Sequence, residues 1–159
     1  MLDDLSKKYA KDNTTELSSL LKKLAPTFKD VDTLKEELRN INESDIKGIR
    51  TIGKKILAAY GDLYKSAQNL HALRHNKRVA YKYARALEYE NGKVTDSEGK
   101  PMKATADKLT NDSELYIADE RKVYYAIEGY LEWAKISIMF CQSLIKGVNE
   151  QVNAGNLEE

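Results

Sequence analysis

Residues 44–90 read SDIKGIRTIGKKILAAYGDLYKSAQNLHALRHNKRVAYKYARALEYE. Within them Ile49, Ile52, Ile56, Ala59, Leu63, Ser66, Leu70, Leu73, Lys77, Ala80, Ala84 and Leu87 alternate steps of three and four without a slip. That alternation lays side chains along one seam of a helix, the a/d pattern of packed helix pairs. It predicts one helix of roughly 47 residues and about 70 Å at 1.5 Å per residue, with Ser44 as its N-cap and Asp45 in its first turn. A second row through Leu57, Tyr60, Tyr64, Ala67 and His71 widens the face and predicts contact with two neighbours. Gly48, Gly53 and Gly61 each cost up to about 1 kcal/mol of helix propensity in the first third.

One neighbour comes from the same chain. After Asn111, read as an N-cap with Glu114 in capping-box spacing, Tyr124, Ile127, Leu131, Ala134, Ile138, Cys141, Ile145, Val148 and Val152 again step by three and four. The connection, about residues 91–111, holds Gly92, Gly99, Pro101 and the turn signal Asp96-Ser97-Glu98-Gly99, which predicts a short β-hairpin or ordered loop at the tip. In the first 43 residues the apolar positions are sparse. Short helices are expected over Leu2–Lys11, Thr15–Leu24 ahead of Pro26, and Thr33–Ile41, with Asp32 as the N-cap of the last and Asn42 closing it. The expected fold is all-α: a long antiparallel helical hairpin or coiled-coil bundle over 44–159, with a small helical arm over 1–43.

Composition sets the outer bounds. A chain of 159 residues with 42% hydrophobic side chains has enough apolar surface for one domain. The single cysteine, Cys141, excludes an intrachain disulfide and falls on an apolar helical stripe, as a core residue does. The start Met1-Leu2-Asp3-Asp4 has neither the basic residues nor the apolar block of a signal peptide, and the apolar stretch near Ile136–Cys141 is too short for a bilayer. A soluble, intracellular protein is expected.

The net charge of +1 conceals a polar arrangement. Leu63–Leu87 runs 25 residues without Asp or Glu, while Lys65, Arg74, Lys77, Arg78, Lys82 and Arg85 give it +6, leaving −5 for the remainder. At about 100° per residue, His71, Arg74, His75, Arg78, Lys82, Arg85 and Tyr89 share an arc of roughly 100°, a basic stripe ending in an aromatic. Lys93, Lys100, Lys103 and Lys108 add charge at the loop end.

Two uses of the stripe stand side by side. It matches a phosphate backbone, with Tyr81, Tyr83 and Tyr89 interleaved as base-stacking surfaces, although Tyr83 points away from it and Tyr81 borders the seam. Equally, Glu114, Asp119, Glu120, Glu128 and Glu132 on the returning helix can consume the charge in salt bridges worth at most about 1 kcal/mol each when exposed. The length of the acid-free run tilts the reading toward nucleic acid.

Other chemistry is thinly represented. There is no glycine-rich phosphate loop and no nucleophile motif. His71 and His75 have the i, i+4 spacing of helical zinc sites, but no third ligand is near in sequence and the neighbouring charges are positive. Glu128 and Glu132, one turn apart, read as a solvated face or as partners of the basic helix. No catalytic residues, cofactor or metal are expected. Binding to anionic membranes is a weaker alternative, since the basic face lacks the exposed Trp, Phe and Leu of interfacial helices.

Lys77-Arg78-Val79-Ala80-Tyr81-Lys82, followed by Glu88-Tyr89-Glu90-Asn91-Gly92-Lys93, resembles a motif of the UvsY family, the recombination mediator proteins of T4-like bacteriophages. The likeness resumes at Asn111-Asp112-Ser113-Glu114-Leu115-Tyr116-Ile117 and at Phe140-Cys141-Gln142-Ser143-Leu144-Ile145-Lys146, and covers roughly residues 74–152. It implies a non-enzymatic homo-oligomer in the cytoplasm of an infected bacterium. Such a protein binds single-stranded DNA and helps a RecA-like recombinase displace a single-strand-binding protein. Under that expectation His71, Arg74, Arg78, Lys82, Arg85 and Lys93 contact nucleic acid and Tyr89 stacks on a base. The rival expectation is an oligomeric coiled-coil scaffold or adaptor, such as a virion component, with no nucleic-acid role.

Overall fold

The computed structural model describes residues 15–155, with side chains described as far as residue 152. Four helices follow one another: α1 (Glu16–Arg39), α2 (Ile46–Glu90), α3 (Ala106–Tyr116) and α4 (Ala118–Gly155). The described residues are all-α, and none of their helices is long and apolar enough to cross a membrane. They group into two compact units, 15–67 with 126–155, and 68–125. These units divide the chain differently from a boundary near residue 43. The helix expected over Leu2–Lys11 lies outside the described residues.

In the first unit, α1 replaces the two short helices expected on either side of Pro26. Thr15 caps it, its hydroxyl accepting from the Ser18 amide at 3.2 Å. Leu17, Leu21, Leu24, Val31 and Leu34 are buried along its length. A proline in a helix interior removes a hydrogen bond and costs about 3 kcal/mol, whereas burying one Leu or Val contributes about 1.5–3 kcal/mol. Five such residues, three before Pro26 and two after it, outweigh the penalty, and the ring itself lies on an exposed face. Asp32 is accordingly a mid-helix residue paired with Lys35 at 2.9 Å rather than a cap. The helix ends at Arg39, where Asn40 donates to the Glu36 carbonyl from its backbone at 3.3 Å and its side chain at 3.0 Å.

α1 is tied to both other helices of this unit. Phe28 meets Tyr130 with ring centroids 5.0 Å apart, Lys35 Nζ sits 4.3 Å from the Tyr130 ring centre, and Glu37 pairs with Lys55 at 2.9 Å. Ile49, Ile56, Ala59 and Leu63 of α2 and Ile127, Ala134 and Cys141 of α4 complete the core. A Cβ on Gly53 would lie 3.6 Å from Cys141 Cβ, so the two helices run close there. Cys141 is 3% exposed, and burial pushes its thiol pKa up.

α2 begins two residues after Ser44, and Asp45 is its cap: Asp45 Oδ1 accepts from the Gly48 amide at 2.9 Å. A Cβ on Gly48 would stand 2.3 Å from Asp45 Oδ2, so the glycine is what lets the carboxylate close on the helix end.

In the second unit α2 ends on Gly92 at φ 66°, with the Lys93 amide donating to the Glu88 carbonyl at 2.9 Å. This is the left-handed stop that glycine allows. The expected turn forms: Asp96 Oδ1 accepts from the Glu98 and Lys100 amides, both at 2.9 Å, and Gly99 adopts φ 80°. Pairing stops at one isolated bridge, Thr95 to Pro101, flanked by the Met102 amide donating to the Val94 carbonyl at 2.8 Å and the Asp96 amide to the Lys100 carbonyl at 2.9 Å. The connection is shorter than expected. Thr105, not Asn111, caps the next helix, its hydroxyl accepting from the Lys108 amide at 3.3 Å, and the chain breaks helical register only at Ile117, which is buried.

Replacing Asp45 by Ala is expected to cost about 1 kcal/mol in urea unfolding. Gly48→Ala should be nearly neutral alone, since its gain in helix propensity of up to about 1 kcal/mol is offset by displacing the cap. In the Asp45→Ala background the same change should stabilise, and additive effects would show that Gly48 and the Asp45 cap are not coupled.

Candidate functional site

The basic stripe occupies the packed face of α2 in the second unit. A 3.5-residue seam drifts about 20° per heptad on an α-helix of 3.6 residues per turn, hence about 100° over the five heptads from Ile49 to Ala84. The covered positions follow the helix and not the heptad. Ile49 and Ala67 are buried, and eighteen residues on, Arg85 is half-buried while Ala84 is exposed. Leu70 is the last fully buried member of the seam, and Ala80, Ala84 and Leu87 lie on the outside.

Arg74, Arg78, Lys82 and Arg85 of the stripe, and Lys77 beside it, therefore each meet a group of their own unit. Arg74 Cζ lies 4.6 Å from the Tyr124 ring centre, where the π-face attracts a cation. Lys77 Nζ is in short contact with Glu120, a carboxylate only 3% exposed. Arg78 pairs with Glu114 at 3.0 Å, Lys82 donates to Thr110 Oγ1 at 3.0 Å, and Arg85 reaches Asp112 at 3.2 Å and Glu88 at 2.6 Å. Hydrogen bonds donated to Glu88 and then to Asp112 raise the already high pKa of the Arg85 guanidinium further. His71 is exposed, its ring 6.1 Å from that of Tyr124, and Lys93 is exposed on the connection.

Tyr89 departs from its expected role. It is 8% exposed and lies beneath Arg85, whose Cζ is 5.3 Å from the ring centre, so its face is closed to a nucleobase. Tyr81 instead stacks on Tyr116 with centroids 4.3 Å apart and planes 16° from parallel. Of the five acids expected on the returning helix, Glu114 meets the stripe, Glu120 meets Lys77 beside it, Asp119 pairs with Lys122 at 3.7 Å, and Glu128 and Glu132 are exposed. Thr110 was not legible as a partner, because an N-cap at Asn111 makes the residues before it loop, and Asp112 and Tyr116, within the helix that cap would open, were not assigned to the stripe. Thr105 followed by Asp107, with Leu109 and Ser113 one turn apart, carries the signal for the earlier start.

The arrangement neutralises more than it projects. Residues 68–125 hold eleven Lys and Arg against nine Asp and Glu, a surplus too small to make the unit a strongly basic body. An incoming phosphate would compete with carboxylates already at hydrogen-bonding distance from Arg78 and Arg85. At the loop end Lys103 and Lys108 are exposed alongside Lys93. Among the described residues no group of three His, Cys, Asp or Glu is placed to hold a metal ion. No family model, curated protein or solved structure matches the chain.

The Lys77–Glu120 pair should be the most costly of these contacts to break. Lys77→Met strips a buried carboxylate of its cation, a loss of about 1–3 kcal/mol. Arg78→Met should cost at most about 1 kcal/mol, since Glu114 keeps Arg121 at 3.3 Å. Urea unfolding of the two variants checks the order, and equal losses would contradict it.

Proposed function

We propose that the protein is a non-enzymatic, homo-oligomeric helical assembly protein, in which α2 and α4 pair as an antiparallel hairpin with coiled-coil packing. The observation that carries this reading is the orientation of the stripe: Arg78 and Arg85 pair with Glu114, Asp112 and Glu88 within the same unit, Lys82 bonds Thr110, Arg74 lies on Tyr124, and Lys77 beside the stripe meets Glu120. They act as the glue of the fold. Large apolar side chains nevertheless stand outside on both helices, including Val79, Tyr83 and Leu87 on α2 and Ile136, Met139 and Phe140 on α4. Solvated helices seldom carry such rows unless another surface covers them.

A second reading specifies what the assembly does. The sequence likeness at residues 77–93 and 111–146 favours a single-stranded-DNA-binding recombination mediator that helps load a RecA-like recombinase in place of a single-strand-binding protein. In that case the exposed Lys93, Lys103 and Lys108 supply the first phosphate contacts, and Arg78, Lys82 and Arg85 add to them only by sharing donors with their internal partners.

Anisotropy of a labelled single strand, from low to high salt with duplex competitor, separates the readings when paired with mass by light scattering. A scaffold gives no binding, and Arg78→Ala, Lys82→Ala and Arg85→Ala together lower stability and oligomer mass. A mediator prefers the single strand with a log–log salt slope near −3, from about −0.7 per phosphate over roughly four contacts, and loses affinity when Lys93, Lys103 and Lys108 become Ala. A wild-type chain that is monomeric and binds no strand overturns both.

A further inference from the structure

In the second unit α2 is inside-out: its cations meet α3 and α4, and its exposed face is nearly free of charge. That face is also palindromic about Tyr83, which is 70% exposed. Three residues to either side stand Ala80 and Ala86, four to either side Val79 and Leu87, and seven to either side Asn76 and Glu90. At about 100° per residue all seven fall within an arc of about 120°. Val79 and Leu87 are 52% and 39% exposed, and Asn76 and Glu90 are exposed at the two ends.

We propose that this face docks a second copy of the chain, antiparallel, across a two-fold axis at Tyr83. The proposal rests on the assembly reading and names its partner and surface. A two-fold interface places residue i against j and j against i, so it demands a self-complementary patch, and a palindrome on one helix is that patch. With the axis at Tyr83, the two Tyr83 rings meet at the centre, Val79 packs on the partner's Leu87, and Ala80 faces the partner's Ala86. Small residues there let helix axes approach to about 8–10 Å. At each end the Asn76 amide can donate to the partner's Glu90 carboxylate, an end-to-end complementarity that a parallel pairing lacks, since it sets Glu90 against Glu90. The near absence of charge argues against an acidic or basic partner. It costs nothing when the face meets its own copy.

The test is mass by analytical ultracentrifugation over a concentration series, on wild type, Tyr83→Glu and, as a control on the same helix, Tyr64→Glu, with helicity followed by circular dichroism. The expected result is a dimer that Tyr83→Glu weakens at least about tenfold at unchanged helicity, while Tyr64→Glu leaves it intact. A nitroxide on Asn69→Cys reads the orientation, because buried Cys141 is shielded from labelling. Antiparallel pairing at Tyr83 separates the two labels by about 42 Å along the axis, from 28 residues at 1.5 Å each, and parallel pairing by only about 10 Å. An oligomer indifferent to Tyr83→Glu, or labels at the short distance, overturns this interface and leaves the assembly reading standing. A monomer at every concentration overturns that reading as well.

Discussion

The rotational phase of α2 governs the arrangement. The sequence writes a seam repeating every 3.5 residues, but a helix turns every 3.6, and the seam slides about 20° around it with each heptad. Near Ile49 and Ile56 seam and buried face coincide, and the core there is built of Ile and Leu. By Arg78 and Arg85 they have separated, so the residues that meet α3 and α4 are the basic ones. The acids on those helices, Asp112, Glu114 and Glu120, follow from that phase, as does the uncharged exterior around Tyr83.

The magnitudes explain how such a face is tolerated. Isolated exposed ion pairs contribute at most about 1 kcal/mol each, which a few leucines would match. Removing one member of a buried pair costs far more than the pair contributes, since an uncompensated charge is left behind. Pairs of this kind therefore select one arrangement strongly while stabilising it weakly. For Lys77 and Glu120 the selection is of register: a slip by one residue would leave a carboxylate buried without its cation.

The α2 and α4 portions of the first unit were legible in the sequence, because there a single physical term decides. Apolar spacing located α2 to within two residues at its start and placed Ile127, Ala134 and Cys141 in the core of α4. Pro26 misled because local preference and tertiary burial oppose each other, and burial on both sides of the ring wins. Asn111 misled because its spacing to Glu114 imitates a capping box, while Thr105 makes the cap and Glu114 is taken by Arg78 and Arg121. The stripe itself was legible as an arc, and its charge partners were foreseen in part. Its exposure was not, since a helical wheel gives the relative angles of side chains but not which of them faces a neighbour. Tyr89 shows the consequence: it shares the arc with Arg85 and is buried by the same rotation.

The two units differ in what holds them. In the first, three helices contribute a continuous apolar core in which α1 alone supplies five buried Leu and Val residues. In the second, the buried apolar side chains are Leu70, Tyr89, Ile117 and Val123, and hydrogen-bonded pairs cover the rest of the packed face. A thin core beside partly exposed ion pairs leaves little stability in hand, because salt screens such pairs and their net contribution is small. The same segment carries Val79, Tyr83 and Leu87 to solvent, where burying each would be worth about 1.5–3 kcal/mol. The apolar surface that would ordinarily stabilise this unit is thus on its outside. Charge within and apolar surface without are a single consequence of one helix phase, which places the apolar side chains that would deepen this unit's core on its exterior instead.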